Sequence, residues 1–232
     1  VPVGGNYTEE EINKIMQNVK EDLAGFDAQL IIMDVVPWML PYYEASGIQF
    51  EIEDNRDYMD YTFTPEQFLA GMDMQDDRYR YNYFKRRFAY ETEEITPSHR
   101  EEIREFMERE WCGEKTCEEC HCGCLLRVID NLVPVFDKIR INGILVRVEG
   151  KMAGLCIVSC RNGLGVYQYK NAVNRIKGIN EYLLRESFER YLQSADTINY
   201  TEDMGVENLR YYKEHMAPAH TLLSKLTLTE RG

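Results

Sequence analysis

The sequence predicts an α+β fold, and three observations carry that prediction. Three strand-like segments, Ile144 to Val148, Met152 to Ser159 and Gly165 to Lys170, follow one another. The spacers Glu149-Gly150-Lys151 and Arg161-Asn162-Gly163 between them are hairpin turn signals. A strongly patterned helix from Ile179 to Leu192 then leads into a short strand, Thr197 to Tyr200. An antiparallel meander that passes into a βαβ unit defines a mixed sheet flanked by helices.

The remaining elements follow in chain order. Thr8 and Glu11 form a capping-box pattern, and Ile12, Ile15, Met16, Val19 and Leu23 follow at helical spacing. Ala28 to Val36 reads as a buried strand, with shorter strands at Gln49 to Glu53 and Tyr58 to Phe63. Thr64, Pro65 and Gln67 start a helix with proline at its first position. A polar, aromatic and basic helix covers Asp76 to Phe88, and Tyr90 to Ile95 reads as an extended crossover between two halves. Ser98 and Glu101 form a second capping-box pattern ahead of the apolar stripe Ile103, Phe106, Met107 and Trp111. Helices at Leu125 to Leu132 and Val206 to His215 complete the set, with a final strand, Ala219 to Leu228, broken by polar residues.

Composition narrows the function. The 232 residues include 27 Lys+Arg against 40 Asp+Glu, a formal net charge of −13, so nucleic-acid or anionic-membrane binding by bulk charge is disfavoured. Hydrophobic residues at 44% and charged residues at 29% exclude a disordered tail. No stretch reaches the roughly 20 apolar residues of a spanning helix, and no signal-peptide pattern is present. The expectation is a cytoplasmic protein that does not engage a membrane. The chain opens at Val1 in the loop-like Val1-Pro2-Val3-Gly4-Gly5, which suggests a fragment of a longer product.

The segment from Gly165 to Leu184 carries the sharpest local signal. A strand ends near Lys170, a polar loop holds Asn174, Arg175 and Lys177, and a helix starts at Gly178 or just after. Free backbone N–H groups at a helix start, with the positive end of its dipole, favour an anion. The expected donor-binding set is Arg175, Lys177, Gly178, Ile179 and Asn180, with Gly178 giving a phosphate room to approach. An ordinary αβ turn with solvated Arg and Lys is the competing reading.

A second constellation runs from Asn199-Tyr200-Thr201-Glu202-Asp203-Met204-Gly205 to Leu209-Arg210-Tyr211-Tyr212-Lys213. Glu202 is the expected general base for an acceptor ammonium, and Asp203 either caps the following helix or contacts substrate. Arg210 and Lys213, one turn apart, either bind a donor phosphate or acceptor carboxylate or pair with Glu202 and Glu207.

Arg175-x-x-Gly178-x-Asn180 resembles the pyrophosphate loop of GNAT-type N-acetyltransferases. The 199–213 run resembles the N-x-x-E-D-x-G-x-x-x-L-R-x-x-K signature of the phosphatidylglycerol lysyltransferase C-terminal-domain family. Asp57-Tyr58-Met59-Asp60-Tyr61 and Lys170 with Lys177-Gly178 fit the same family in order. The resemblance implies tandem GNAT-like lobes, residues 1–95 as an N-terminally incomplete first lobe and 96–232 as a second that holds the donor site. It implies transfer of an acyl or aminoacyl group from acyl-CoA or aminoacyl-tRNA to an amine or hydroxyl acceptor. Tyr212 falls where GNAT enzymes place the tyrosine that protonates the leaving group.

The chain departs from the family at its basic run, reading Asp73-Met74-Gln75-Asp76-Asp77 and then Arg78-Tyr79-Arg80-Tyr81-Asn82, with Tyr169 in place of glutamate. This disfavours a tRNA donor and motivates the alternative of a non-catalytic module that binds a small metabolite or a protein partner.

Five of the 7 cysteines fall within Cys112, Cys117, Cys120, Cys122 and Cys124, with His121 among them. The count and clustering argue against a disulfide framework. The segment lacks paired C-x-x-C knuckles, so no metal site is assigned; zinc on this segment, or a redox sensor, is the alternative to reduced thiols. Cys156 and Cys160 read as small core residues.

Overall fold

The computed structural model describes residues 8–23, 30–112, 125–139, 141–216 and 220–230. Its elements are α1 (Glu9–Leu23), β1 (Ile31–Val35), α2 (Leu40–Glu44), β2 (Phe50–Asp54), β3 (Asp60–Phe63), α3 (Pro65–Met72), α4 (Gln75–Arg87), β4 (Tyr90–Glu94), α5 (Arg100–Met107), α6 (Leu125–Leu132), β5 (Asn142–Val148), β6 (Lys151–Arg161), β7 (Leu164–Ala172), α7 (Ile179–Ser187), β8 (Thr197–Asn199), α8 (Glu207–Met216), β9 (Thr221–Leu223) and β10 (Leu226–Glu230). The mixed α+β architecture agrees with the sequence prediction.

The chain divides into two compact units: Val1–Tyr61, Glu202–Arg210 and Leu222–Gly232 in one, Thr62–Thr201 and Tyr211–Thr221 in the other. The boundary expected at residue 95 falls inside the larger unit. The reason is β4, which pairs antiparallel with β5 from Tyr90↔Val148 to Glu94↔Ile144 and is an edge strand rather than a crossover.

In the smaller unit β10 lies between β1 and β2, antiparallel to both. The alternating buried residues Leu226 and Leu228 of β10 meet Ile32 and Val35 of β1 and Ile12 and Met16 of α1. Thr8 and Glu11 close the predicted capping box of α1, with Thr8 N donating to Glu11 Oε2 at 2.8 Å.

The second sheet is ordered β4-β5-β6-β7-β8-β3-β9, with β4 to β8 wholly in the larger unit. Both predicted hairpins form, with φ positive at Glu149 and Gly150 and again at Asn162 and Gly163, the primed turn that matches strand twist. After α7 the chain returns as β8, parallel to β7. β6 is buried on both faces: Leu155, Cys156, Ile157 and Val158 are fully enclosed. Each such aliphatic residue contributes about 1.5–3 kcal/mol of burial. Ile179, Leu183 and Leu184 of α7 complete this core.

Two local expectations change. The cap before α5 is Thr96, whose amide donates to His99 Nδ1 at 3.0 Å, because Pro97 opens a short 3-10 turn there; Ser98 is not the cap. The final strand splits into β9 and β10, which join different sheets.

Candidate functional site

The C-terminal signature folds into an ionic knot in the smaller unit. Asp203 is fully buried. Arg210 Nε and Nη2 donate to its two carboxylate oxygens at 3.0 and 2.8 Å. Arg56 Nη1 and the Tyr61 hydroxyl donate to Oδ2 at 3.1 and 2.7 Å, and the Gly205 amide to Oδ1 at 2.9 Å. Burial alone would raise the Asp203 carboxyl, but Arg210, Tyr61 and the Gly205 amide outweigh it and hold it well below the usual carboxylate range. Arg210 also donates to Asp57 at 2.6 Å. Gly205 has φ +70°, and a Cβ there would lie 2.7 Å from Asp57 Oδ2, so the signature glycine is a packing requirement.

Glu202, the expected base, shares the Lys225 ammonium with Asp60 and Asp34 at 3.5, 2.8 and 3.6 Å. Burial opposes its charged form, yet its own amide and Lys225 hold the carboxyl below the ordinary glutamate value. That makes it a weaker base. Lys213, in the larger unit, is buried and donates to the Tyr200 and Thr201 carbonyl oxygens at 2.5 and 3.2 Å. Of the three residues for which a ligand role and a structural role were both open, Asp203 and Arg210 bond to each other and Lys213 bonds to backbone.

The helix start after Lys177 forms as expected, with Gly178 at the N-cap in the left-handed region, φ +88°. The space beside its Cα belongs to α4, because a Cβ would collide with the Arg80 carbonyl oxygen and approach Phe84 Cβ to 3.0 Å. Gly178 and Ile179 are buried and Asn180 is half-buried. The Lys177 ammonium sits over the Tyr79 and Tyr83 rings, 4.9 and 5.2 Å from their centroids. Arg175 is exposed and lies 3.8 Å from Glu110. The space a side chain would occupy at Gly178 is thus taken by packing against α4.

The larger unit instead opens a cavity of about 510 Å³ lined by Met74, Gln75, Asp76, Asp77 and Arg80 of α4 and its lead-in, and by Tyr211, Tyr212 and His215 of α8. The Tyr212 ring is half-buried, but its hydroxyl oxygen is enclosed and has no hydrogen-bond partner. Burial, reinforced by the acidic groups of Tyr200, Asp77 and Glu181, keeps that hydroxyl protonated well above the ordinary tyrosine value. Asp77 is pushed up to about 6, first by burial and then by the charge of Glu181, with Arg80 opposing. Arg80 Nη1 lies 3.2 Å from Glu181 Oε1, and the Lys170 ammonium is 5.9 Å from the centre of the Tyr212 ring. A proton-bearing phenol, an acid raised to about 6 and retained positive charge are the inventory of a proton-transfer site.

Of the residues expected from sequence, Tyr212 alone lines this cavity. Asp77 and His215 were not anticipated as site residues. Asp77 looks like an ordinary first-turn helix acid, whereas His215 carried a readable signal, lying three residues from Tyr212 on one helix face. Cys117, Cys120, His121, Cys122 and Cys124 lie outside the described residues, as does the side chain of Cys112. Among the described residues no group of three His, Cys, Asp or Glu is placed to hold a metal, and no helix is long and apolar enough to cross a membrane. The Cys156 thiol is fully buried and pushed up to about 11 by that burial.

Comparison with known proteins agrees with the fold. A conserved protein of unknown function from Bacteroides thetaiotaomicron superposes with TM-score 0.75 at 23% identity, over 94% of this chain and 75% of that one. The C-terminal domain of a putative lysylphosphatidylglycerol synthetase from Agrobacterium fabrum gives TM-score 0.66 at 11% identity, over 97% and 75%. A tandem GNAT protein from the clavulanic acid biosynthesis pathway gives 0.53 at 10% identity, over 93% and 68%. No curated protein matches the sequence. The family "Phosphatidylglycerol lysyltransferase, C-terminal" matches residues 1–224, and the chain belongs to it.

Proposed function

We propose that this family member is a transferase that moves an acyl or aminoacyl group from an activated carrier to an amine or hydroxyl acceptor, with the chemistry at the α4–α8 cavity. Family membership supports the reaction class. The single observation that carries the location is the enclosed, unpartnered hydroxyl of Tyr212, a residue that also lines the cavity. A buried polar group with no partner costs stability unless something else uses it. A protonated phenol there can protonate the departing carrier atom as the carbonyl–carrier bond breaks. Asp77, poised near neutrality, and Arg80 present the matching charges for an acceptor.

The test is transfer of a labelled group from acyl-CoA and from aminoacyl-tRNA to a panel of amines and alcohols. Turnover with either carrier supports the reading. No transfer from any carrier, with a ligand that binds unchanged, would make the chain a binding module.

A further inference from the structure

Two aromatic residues and an imidazole share one face of α8: Tyr211, Tyr212 and His215 all line the cavity. His215 Nδ1 lies 2.8 Å from the Tyr211 carbonyl oxygen. A carbonyl has no proton to give, so Nδ1 is the donor in this contact. That fixes the neutral tautomer with the proton on Nδ1 and the lone pair on Nε2. The Tyr211 ring stacks on the imidazole at 3.8 Å between centroids and 28° between planes, which holds its orientation. His99 differs in every respect: Nδ1 accepts from the Thr96 amide and Nε2 contacts Glu93, so both nitrogens serve local structure.

We infer that His215 is the general base of this site, taking a proton on Nε2 from the acceptor nitrogen or oxygen. The inference rests on the transferase reading above. The charged and titratable residues that line the cavity together with His215 are Asp76, Asp77 and Arg80 from α4, and Tyr211 and Tyr212 from its own helix.

The step balances. His215 removes one proton from the acceptor, and the freed electron pair forms a bond to the donor carbonyl carbon. The carbonyl–carrier bond breaks with its electron pair on the carrier atom, which takes the Tyr212 proton. Loss of the His215 proton and reprotonation of the phenolate then restore both groups to their starting states. A base and an acid one helical turn apart thus serve the two ends of the exchange.

The experiment pairs nitrogen-15 NMR of the histidine rings in the intact chain with transfer kinetics of His215→Asn. Asparagine keeps a side-chain N–H for the Tyr211 carbonyl but has no basic nitrogen. The expected results are an Nδ1-protonated ring in the wild type and a kcat loss of roughly 10²–10⁴-fold in the variant. KM and melting temperature should change little, and added imidazole should restore part of the rate. An Nε2-protonated ring, or transfer that survives in His215→Asn, overturns the assignment alone. No transfer by the wild type from any carrier overturns the transferase reading and this assignment with it.

Discussion

The two polar clusters of this protein solve opposite electrostatic problems. Around Asp203, two guanidinium groups, a phenol and an amide converge on one carboxylate and pull its pKa down, so the charged form is the stable one. Around Tyr212, burial and like charge push Asp77 up to about 6 and leave a hydroxyl with no partner. The first arrangement stabilises the fold, and the second leaves strained, titratable groups beside a cavity. The contrast teaches that the charged positions of the most conspicuous sequence motif build the scaffold, while Tyr211 and Tyr212 within it, and His215 just beyond, line the cavity.

The strongest way to break this comparison is Asp203→Ala. It leaves Arg56 and Arg210 without their shared buried anion and should cost about 3–5 kcal/mol in denaturant unfolding. The pH dependence has a defined sign. Asp203 is lowered on folding, so its contribution is fully present above the ordinary carboxylate pKa of about 4 and is lost as pH falls through the lower folded value. A stability loss confined to acid in the wild type, and absent in Asp203→Ala, is the expected signature.

Gly178→Ala comes next. Forcing a Cβ against the Arg80 carbonyl at φ +88° should destabilise by about 2–4 kcal/mol, read as a lowered melting temperature without any ligand present. A variant that folds normally and loses only donor binding would favour the diphosphate reading of this turn.

The smallest effect concerns Asp77. Its carboxyl is raised from 3.8 to about 6, so the folded state favours the neutral form, and stability declines as pH rises between those values. Asp77→Asn removes that decline and should gain about 1 kcal/mol at pH 7 after allowance for partial exposure, with no gain at pH 4. A loss of stability at pH 7 would show that the carboxylate is paired rather than strained.

Much of the fold was legible because its signals are local. The capping boxes Thr8–Glu11 and Thr64–Gln67 and the two primed hairpins depend on residues within a few positions of one another. What escaped was set by long-range partners. β10 leaves β9 to pair with β1 and β2, and β4 pairs with a strand some fifty residues on, so the units do not follow the chain order. The site escaped for the same reason. The α4 backbone beside Gly178 and the Lys225 ammonium beside Glu202 both come from distant parts of the chain. Tyr212, singled out by resemblance, lines the cavity.

The central claim is that the α4–α8 cavity, with Tyr212 as its acid, performs the transfer. Its most direct test is Tyr212→Phe, assayed for group transfer and thermal unfolding in the same preparation. The expected result is a rate loss of roughly a hundredfold or more with an unchanged or higher melting temperature, because the variant deletes a hydroxyl that bonds to nothing. A variant that transfers at the wild-type rate, or one whose lost activity merely tracks lost folding, would contradict it.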